Sequence, residues 1–339
     1  MLLVTSIPHQ PGWYPINHMV RLAAAAFGSE ILDAKKLAGP SLVSRTLGMV
    51  ARRDRKSSGA ETCLLIGAAP TDLLQIYNVP GWRTRFRWIG AWVIDSFWTH
   101  WIPKSIRIAQ PFDDFFITSK EDADAWKTAL RVQPGWLPWG SDVLGLGSAN
   151  PVRPWDLTRV GRQPPSWDDD DATGQAASGL GLRFHPRPPE TPGDASENQR
   201  HLMQRYAQSK FLLAFSNSVN PTNYTHPTRE YLTGRWVDAL AGGAVVAGVA
   251  PRGADALLWP GATLELGGIN RAEGLATIAR AAAAWTPQVA ARNHAMALRR
   301  LDWRSRFQVI AKACGEQPAH LAEELRALQA TIDSLDPAP

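Results

Sequence analysis

Along the N-terminal half, short apolar runs rich in β-branched and aromatic residues alternate with stretches of helical character. This rhythm confines the chain to a parallel sheet wrapped by helices. The runs are Met1–Ser6, Glu30–Asp33, Thr62–Gly67, Trp88–Asp95, Asp113–Thr118 and Gly135–Pro138, the last ending in Trp139–Gly140. Helical stretches are expected over Ile16–Phe27, Ser41–Arg53 and Glu121–Leu130. Together these segments make one doubly wound α/β domain.

Composition then changes. Ala149–Pro154 is rich in Pro, Asn and Arg and reads as a linker, which sets a boundary near residue 152, after which Asp156–Arg162 restarts the strand pattern. Residues 164–200 are dominated by Pro, Asp, Gly and Ser, including the run Asp168–Asp171, and are expected to be mobile loops around a short strand at Gly181–His185. A second α/β unit follows: a helix at Asn198–Ser209, a strand at Phe211–Phe215, a helix at Leu232–Ala241 and a strand at Ala244–Val249. At the end, Leu321, Leu325, Leu328, Ile332 and Leu335 fall at helical spacing and form one apolar stripe, expected to pack on its own domain. With 339 residues, 45% of them apolar, the chain can bury two cores. The expected division is 1–150, 151–315 and a helical tail, 316–339.

No window offers the roughly 20 apolar residues of a membrane span, and Met1–Ser6 runs into a strand without a basic leader, so the expected location is cytoplasmic. Cys63 and Cys314 lie far apart without metal-ligand spacing and read as buried small residues. A net charge of +5 and a pI near 9.4 favour anionic partners.

The stretch richest in chemistry runs from Thr228 to Gly248: a polar loop with Arg229 and Glu230, a helix start with Arg235, Asp238 within that helix, then Gly242-Gly243 and a buried strand. Loop amides at a helix start, with the positive end of the helix dipole and two arginines, make a seat for a pyrophosphate. Glu230 and Asp238 can accept hydrogen bonds from sugar or ribose hydroxyls. Read blandly, the same carboxylates are helix-face residues and the glycines a helix stop.

These residues resemble the C-terminal domain of GT-B glycosyltransferases, in which two acids with seven residues between them precede an Ala-Gly-hydrophobic strand. The resemblance implies two Rossmann-like doubly wound domains facing across a cleft, with Glu230 facing the donor sugar and phosphate and Asp238 the ribose. Tyr231-Leu232-Thr233-Gly234-Arg235 is similar to a segment of fucosyltransferase-type GT-B enzymes and implies that Arg235 binds diphosphate, with Arg229, Tyr231 and Thr233 beside it. Trp303-Arg304-Ser305-Arg306-Phe307 resembles a closing motif of bacterial group-1-like transferases. Arg159-Val160-Gly161-Arg162 resembles the Gly-Arg turn after the first donor-domain strand, which implies a phosphate contact for Arg162. Leu137–Asp142 resembles the turn that closes the N-terminal domain.

In that N-terminal domain Asp95 and His100 follow a strand end, where ligands of open α/β sheets gather, and either can take a proton from an acceptor hydroxyl. The alternative is that Asp95 caps the next segment and His100 lies at the surface. His9, in the Pro-rich first loop, is a further candidate contact. Trp82, Arg83, Arg85, Arg87 and Trp88 interleave aromatics with cations, a pattern that suits a membrane surface, single-stranded nucleic acid, or a solvated turn with buried Trp.

The expected activity is metal-independent transfer of a sugar from a nucleotide-diphosphate donor to a glycan or lipid-linked acceptor, in bacterial surface polysaccharide or glycoconjugate synthesis. It calls for no cofactor besides the donor and no nucleic-acid partner, and it allows a peripheral contact with the inner membrane face. A nucleotide-sugar epimerase and a non-catalytic nucleotide-sugar-binding protein are the alternatives. Retention and inversion both remain open.

Overall fold

The computed structural model describes residues 1–37, 59–188, 194–219, 221–222 and 225–335. The helix expected over Ser41–Arg53 lies outside them. The chain forms two compact units, one built from Met1–Pro138 with Arg304–Arg326, the other from Trp139–Trp303 with the chain from Ala327 onward.

In the first unit, β1 (Leu2–Thr5), β2 (Glu30–Asp33), β3 (Glu61–Gly67), β4 (Phe86–Val93), β5 (Asp114–Ile117) and β6 (Gly135–Trp136) form one parallel sheet in the order β2-β1-β3-β4-β5-β6. β3 and β4 are central and almost wholly buried, which is why their sequences are continuous apolar runs instead of alternating ones. Helix α1 (Tyr14–Phe27) starts with Pro15 in its first turn, where the missing N–H costs nothing. It stops at Gly28, whose φ of +59° lets Gly28 N bond Ala25 O while Ser29 N bonds Ala24 O. Helices α2 (Lys104–Ala109) and α3 (Ala123–Leu130) follow β4 and β5. Trp126, Phe115, Ile106 and Ile89 lie in the core beneath them.

The second unit repeats this winding. Helix α4 (Val143–Leu146) precedes β7 (Trp155–Arg159); then come α5 (Asp170–Gly179), β8 (Phe184–His185), α6 (Ala195–Ala207), β9 (Ser209–Phe215), α7 (Gly234–Ala241), β10 (Val245–Val249) and β11 (Thr263–Glu265). The sheet order is β11-β10-β9-β7-β8, all parallel. In both sheets the second strand pairs on one side of the first and the third on the other, giving a topological switch point between β1 and β3 and another between β7 and β9. Helices α8 (Arg271–Ala283), α9 (Pro287–Arg300), α10 (Trp303–Cys314) and α11 (Ala319–Leu335) complete the chain.

Two expectations change. The acidic run Asp168–Asp171 is ordered: Asp169 caps α5 by accepting from Ala172 N, and the buried Arg159 guanidinium holds Asp168 at 2.6 Å and Asp170 at 2.7 Å. Acids at a helix N-terminus are stabilised by the helix dipole, so the run marks a helix start and not a mobile loop. The compact units divide between Pro138 and Trp139, upstream of the Pro-rich stretch near 152. Residues 139–153 belong with the second unit because Ser141 bridges Asp302, Ser148 N bonds Ala241 O, and Arg153 donates to the carbonyls of Tyr206, Ser209 and Gly242. After α9 the chain returns to the first unit, where Phe307 packs edge-on against Phe27 and Arg87 donates to the Cys314 carbonyl at 2.8 Å. In α11, Leu321 and Leu328 of the expected apolar stripe are buried, Leu325 and Ile332 are half-buried, and Leu335 is exposed. Among the described residues no helix is long and apolar enough to cross a membrane.

Candidate functional site

The carboxyl ends of β7, β9 and β10 carry three loops, and the predicted donor-site residues other than Asp238 gather on and beside them. The first loop is the Val160-Gly161-Arg162 turn. Gly161 sits at φ +71°, where a side chain would be strained, and a Cβ there would lie 3.5 Å from Arg235 Nη1. Arg235, in the first turn of α7, spans the β7/β9 switch point: Nη1 donates to Arg162 O at 2.7 Å and Nη2 to Phe215 O at 3.0 Å. Arg162 reaches across the same opening to Thr222 Oγ1 at 2.7 Å.

The second loop leaves β9 and leads to α7. Asn217 organises it, donating to Arg229 O at 2.7 Å and accepting from Tyr231 N at 3.3 Å. His226 Nδ1 accepts from the amides of Thr228 and Arg229, turning the chain so that Glu230 comes back to the sheet edge. Thr233 is the N-cap of α7, with extended backbone and no side-chain cap bond, and the first turn of the helix holds no acid. A helix start of this kind, with Arg235 inside it, is electropositive.

Glu230 is the acid of the cluster. Ser216 Oγ donates to Oε2 at 2.8 Å, Arg252 N to the same oxygen at 3.0 Å, and Arg252 Nε to Oε1 at 2.7 Å. Burial by itself would raise this carboxyl, but the Ser216 hydroxyl and the amide and guanidinium of Arg252 outweigh it and hold the group below its ordinary value. Glu230 therefore stays ionised. Its side chain is 11% exposed whereas that of Arg252, on the loop after β10, is 79% exposed, so the acid is fixed and its partner stands in solvent.

Asp238 is not part of this cluster. It is 1% exposed on the second turn of α7, and its oxygens accept from Ser141 Oγ at 2.6 Å and Gln199 Nε2 at 2.9 Å. The expected ribose contact is replaced by a packing role, because eight residues along the chain place Asp238 inside the helix layer while Glu230 stays on the loop. The motif at Leu137–Asp142 is architectural as well: Asp142 caps α4 by accepting from Gly145 N, and a Cβ on Gly140 would approach Leu301 O to 2.6 Å. In the Trp303–Phe307 motif, Trp303 and Phe307 are buried, Arg304 pairs with Glu324 at 3.1 Å, and Arg306 donates to Pro138 O at 3.3 Å.

In the first unit Asp95 follows β4 at the carboxyl edge of the sheet, with its amide on Ala68 O. Among the described residues no donor or cation reaches its carboxylate, and burial pushes the group up to about 7. His100 is exposed, edge-on to Trp98 and Trp101. It lines an open depression of about 660 Å³ together with Arg107, Asp124 and Arg131, and Asp95 is not among the lining residues. His9 is exposed and lies 3.7 Å from Asp33 at the end of β2. Trp82 and Trp88 are buried, Arg83 lies over the Trp82 ring, Arg85 is paired with Glu61, and Arg87 bonds Cys314 O; this stretch is a turn running into β4 with its indoles inward. Both cysteines are buried and neither is in a disulfide.

Sequence reasoning missed Ser216, Asn217 and Arg252. Their positions just past β9 and β10 were the available signal, since strand C-termini are where ligands of such sheets bind.

No protein-family model and no curated protein matches the chain. Among solved structures it is similar to HepE of Anabaena, determined in complex with UDP and glucose and with UDP, at 14% identity and a TM-score of 0.52 over 93% of this chain and 99% of that one. An α,α-trehalose-phosphate synthase (UDP-forming) from Burkholderia vietnamiensis has 14% identity and a TM-score of 0.45 over 80% and 77%. With its two parallel-sheet units the chain has the GT-B fold.

Proposed function

We propose that this GT-B chain is a glycosyltransferase that binds a nucleotide-diphosphate sugar on the second unit. The observation that carries the reading is the clamp of Arg235 across the β7/β9 switch point, with Arg162 and the α7 N-terminus beside it and an ionised Glu230 opposite. The guanidinium groups of Arg162 and Arg235 and the helix start suit a diphosphate, and they supply the positive charge that stabilises it as it leaves. Arg229, Tyr231 and Thr233 lie on the loop and N-cap that lead into α7, beside Arg235. Glu230, ionised and held rigid, suits the hydroxyls of the donor sugar. That HepE, of the same fold, holds UDP and glucose supports this class of ligand.

For the acceptor hydroxyl we propose Asp95 as base. A carboxyl lifted to about 7 can take a proton near neutral pH, where an ordinary carboxylate is too weak a base. His100, which lines a different surface, is the second candidate. The acceptor class is a glycan or a lipid-linked sugar, which would place the reaction in surface polysaccharide or glycoconjugate synthesis.

The test is a thermal-shift series with UDP, GDP, dTDP and, as a monophosphate control, CMP, on wild type, Arg162→Ala and Arg235→Ala. One nucleoside diphosphate should raise the unfolding temperature of the wild type and lose its effect in both variants, since a ligand bound only by the folded state stabilises it by mass action. No shift with any of them at millimolar concentration would refute the donor site. Slow hydrolysis of the matching nucleotide sugar would then separate a transferase from a non-catalytic binder.

A further inference from the structure

The first unit has one face on which large apolar side chains and cations are exposed together. Trp101 is 42% exposed and Ile108 53%. The Trp101 ring lies flat on buried Trp98, with centroids 4.2 Å apart and planes 6° from parallel, so the indole is held in place before any partner arrives. On α2, Lys104, Arg107 and Ile108 recur at spacings of three and four and share the outer side, while Ile106 and Ala109 face the core. Arg107 and Arg131 also line the 660 Å³ depression between α2 and α3, in which Asp124 is the acidic lining residue.

We infer that this face docks on an anionic phospholipid bilayer, with Trp101 and Ile108 at the interface and a lipid phosphate in the depression between Arg107 and Arg131. Trp is favoured at the headgroup level, where its ring is half apolar and half polar. Exposed cations beside it add attraction to anionic lipid, and their charge complements that surface. The stretch Trp82–Trp88 cannot serve, because its indoles are buried. The inference is independent of the donor site: its residues lie on the first unit only, and nucleotide binding is measured separately.

The experiment is co-sedimentation of the full chain with vesicles of phosphatidylcholine alone and of phosphatidylcholine mixed with phosphatidylglycerol. Wild type should sediment with the mixed vesicles and not with the neutral ones. Lys104→Ala with Arg107→Ala should weaken partitioning by roughly thirty-fold, from the usual contribution of each basic residue at a membrane surface. Trp101→Ser should weaken binding as well, with an unfolding temperature within a few degrees of wild type; the exposed pair on α2 provides the test should Trp101→Ser fold poorly. An equal charge change elsewhere, Arg280→Ala with Lys312→Ala, should leave binding as in wild type. The inference is overturned if mixed vesicles recruit nothing, or if the control pair loses as much as the α2 pair. It is also overturned if light scattering shows a self-associated species that Trp101→Ser dissociates.

Discussion

Asp95→Asn makes the sharpest test of the reading of the first unit. The wild-type carboxyl is carried by burial from an ordinary 3.8 to about 7, with no partner among the described residues to offset the loss of water. At about 1.4 kcal/mol per pH unit, the ionised side chain costs the folded state about 4 kcal/mol once it is fully charged. The sign follows from proton binding. Below pH 3.8 both folded and unfolded chains hold the proton and Asp95 has no effect. Between 3.8 and 7 the unfolded chain releases it while the folded one keeps it, so stability falls as pH rises, and the cost is complete above 7. Asparagine cannot ionise and removes this dependence. Urea unfolding of the two proteins, followed from pH 5 to pH 8.5, should therefore show Asp95→Asn becoming more stable than wild type as pH increases, by up to about 4 kcal/mol at the alkaline end. A site that retains a carboxylate at such a cost is a candidate for chemistry, so the stabilised variant should also lose transfer activity with the donor still bound. Parallel curves would refute the burial argument. A widening gap with full activity would refute the base.

Three further outcomes are expected. Gly161→Ala places a side chain at φ +71° and against Arg235; it should cost roughly 1–2 kcal/mol of stability and weaken nucleoside-diphosphate binding, both read by thermal shift with and without ligand. Arg252→Ala keeps the backbone amide but removes the guanidinium hydrogen bond and charge that help hold the Glu230 carboxyl low; the carboxyl then rises, so the acid limb of the kcat/KM profile should move to higher pH, and an unchanged limb would remove Glu230 from the reaction. Arg153→Met should destabilise the second unit by ~3 kcal/mol or more in chemical denaturation, because it removes the three hydrogen bonds that the buried guanidinium donates to the carbonyls of Tyr206, Ser209 and Gly242.

Much of this architecture was legible locally. Fully buried parallel strands must be nearly continuous apolar runs, and so Thr62–Gly67 and Phe211–Phe215 announced themselves, while Leu321 and Leu328 of the α11 stripe marked its inner side. The polar loop, Glu230 and Arg235 were visible as a cluster because they adjoin one helix start. Residues 263–314 are rich in Ala and Arg; α8 has a weak amphipathic pattern and α9 is strongly polar on average, and neither was read.

What the order of residues decided alone was the winding: which runs are strands, which are helices, and therefore a parallel α/β chain with its ligand edge at the strand C-termini. Tertiary structure decided which charges meet. Whether Asp168 and Asp170 flank a loop or clasp Arg159, whether Asp238 faces a ribose or Ser141 and Gln199, and whether Glu230 finds Arg252 all depend on partners distant in sequence, brought together by sheet order and helix rotation. The burial of Trp82 and Trp88 and the exposure of Trp101 were decided in the same way. Periodicity is a property of one segment; the energy of a buried charge is set by everything that surrounds it.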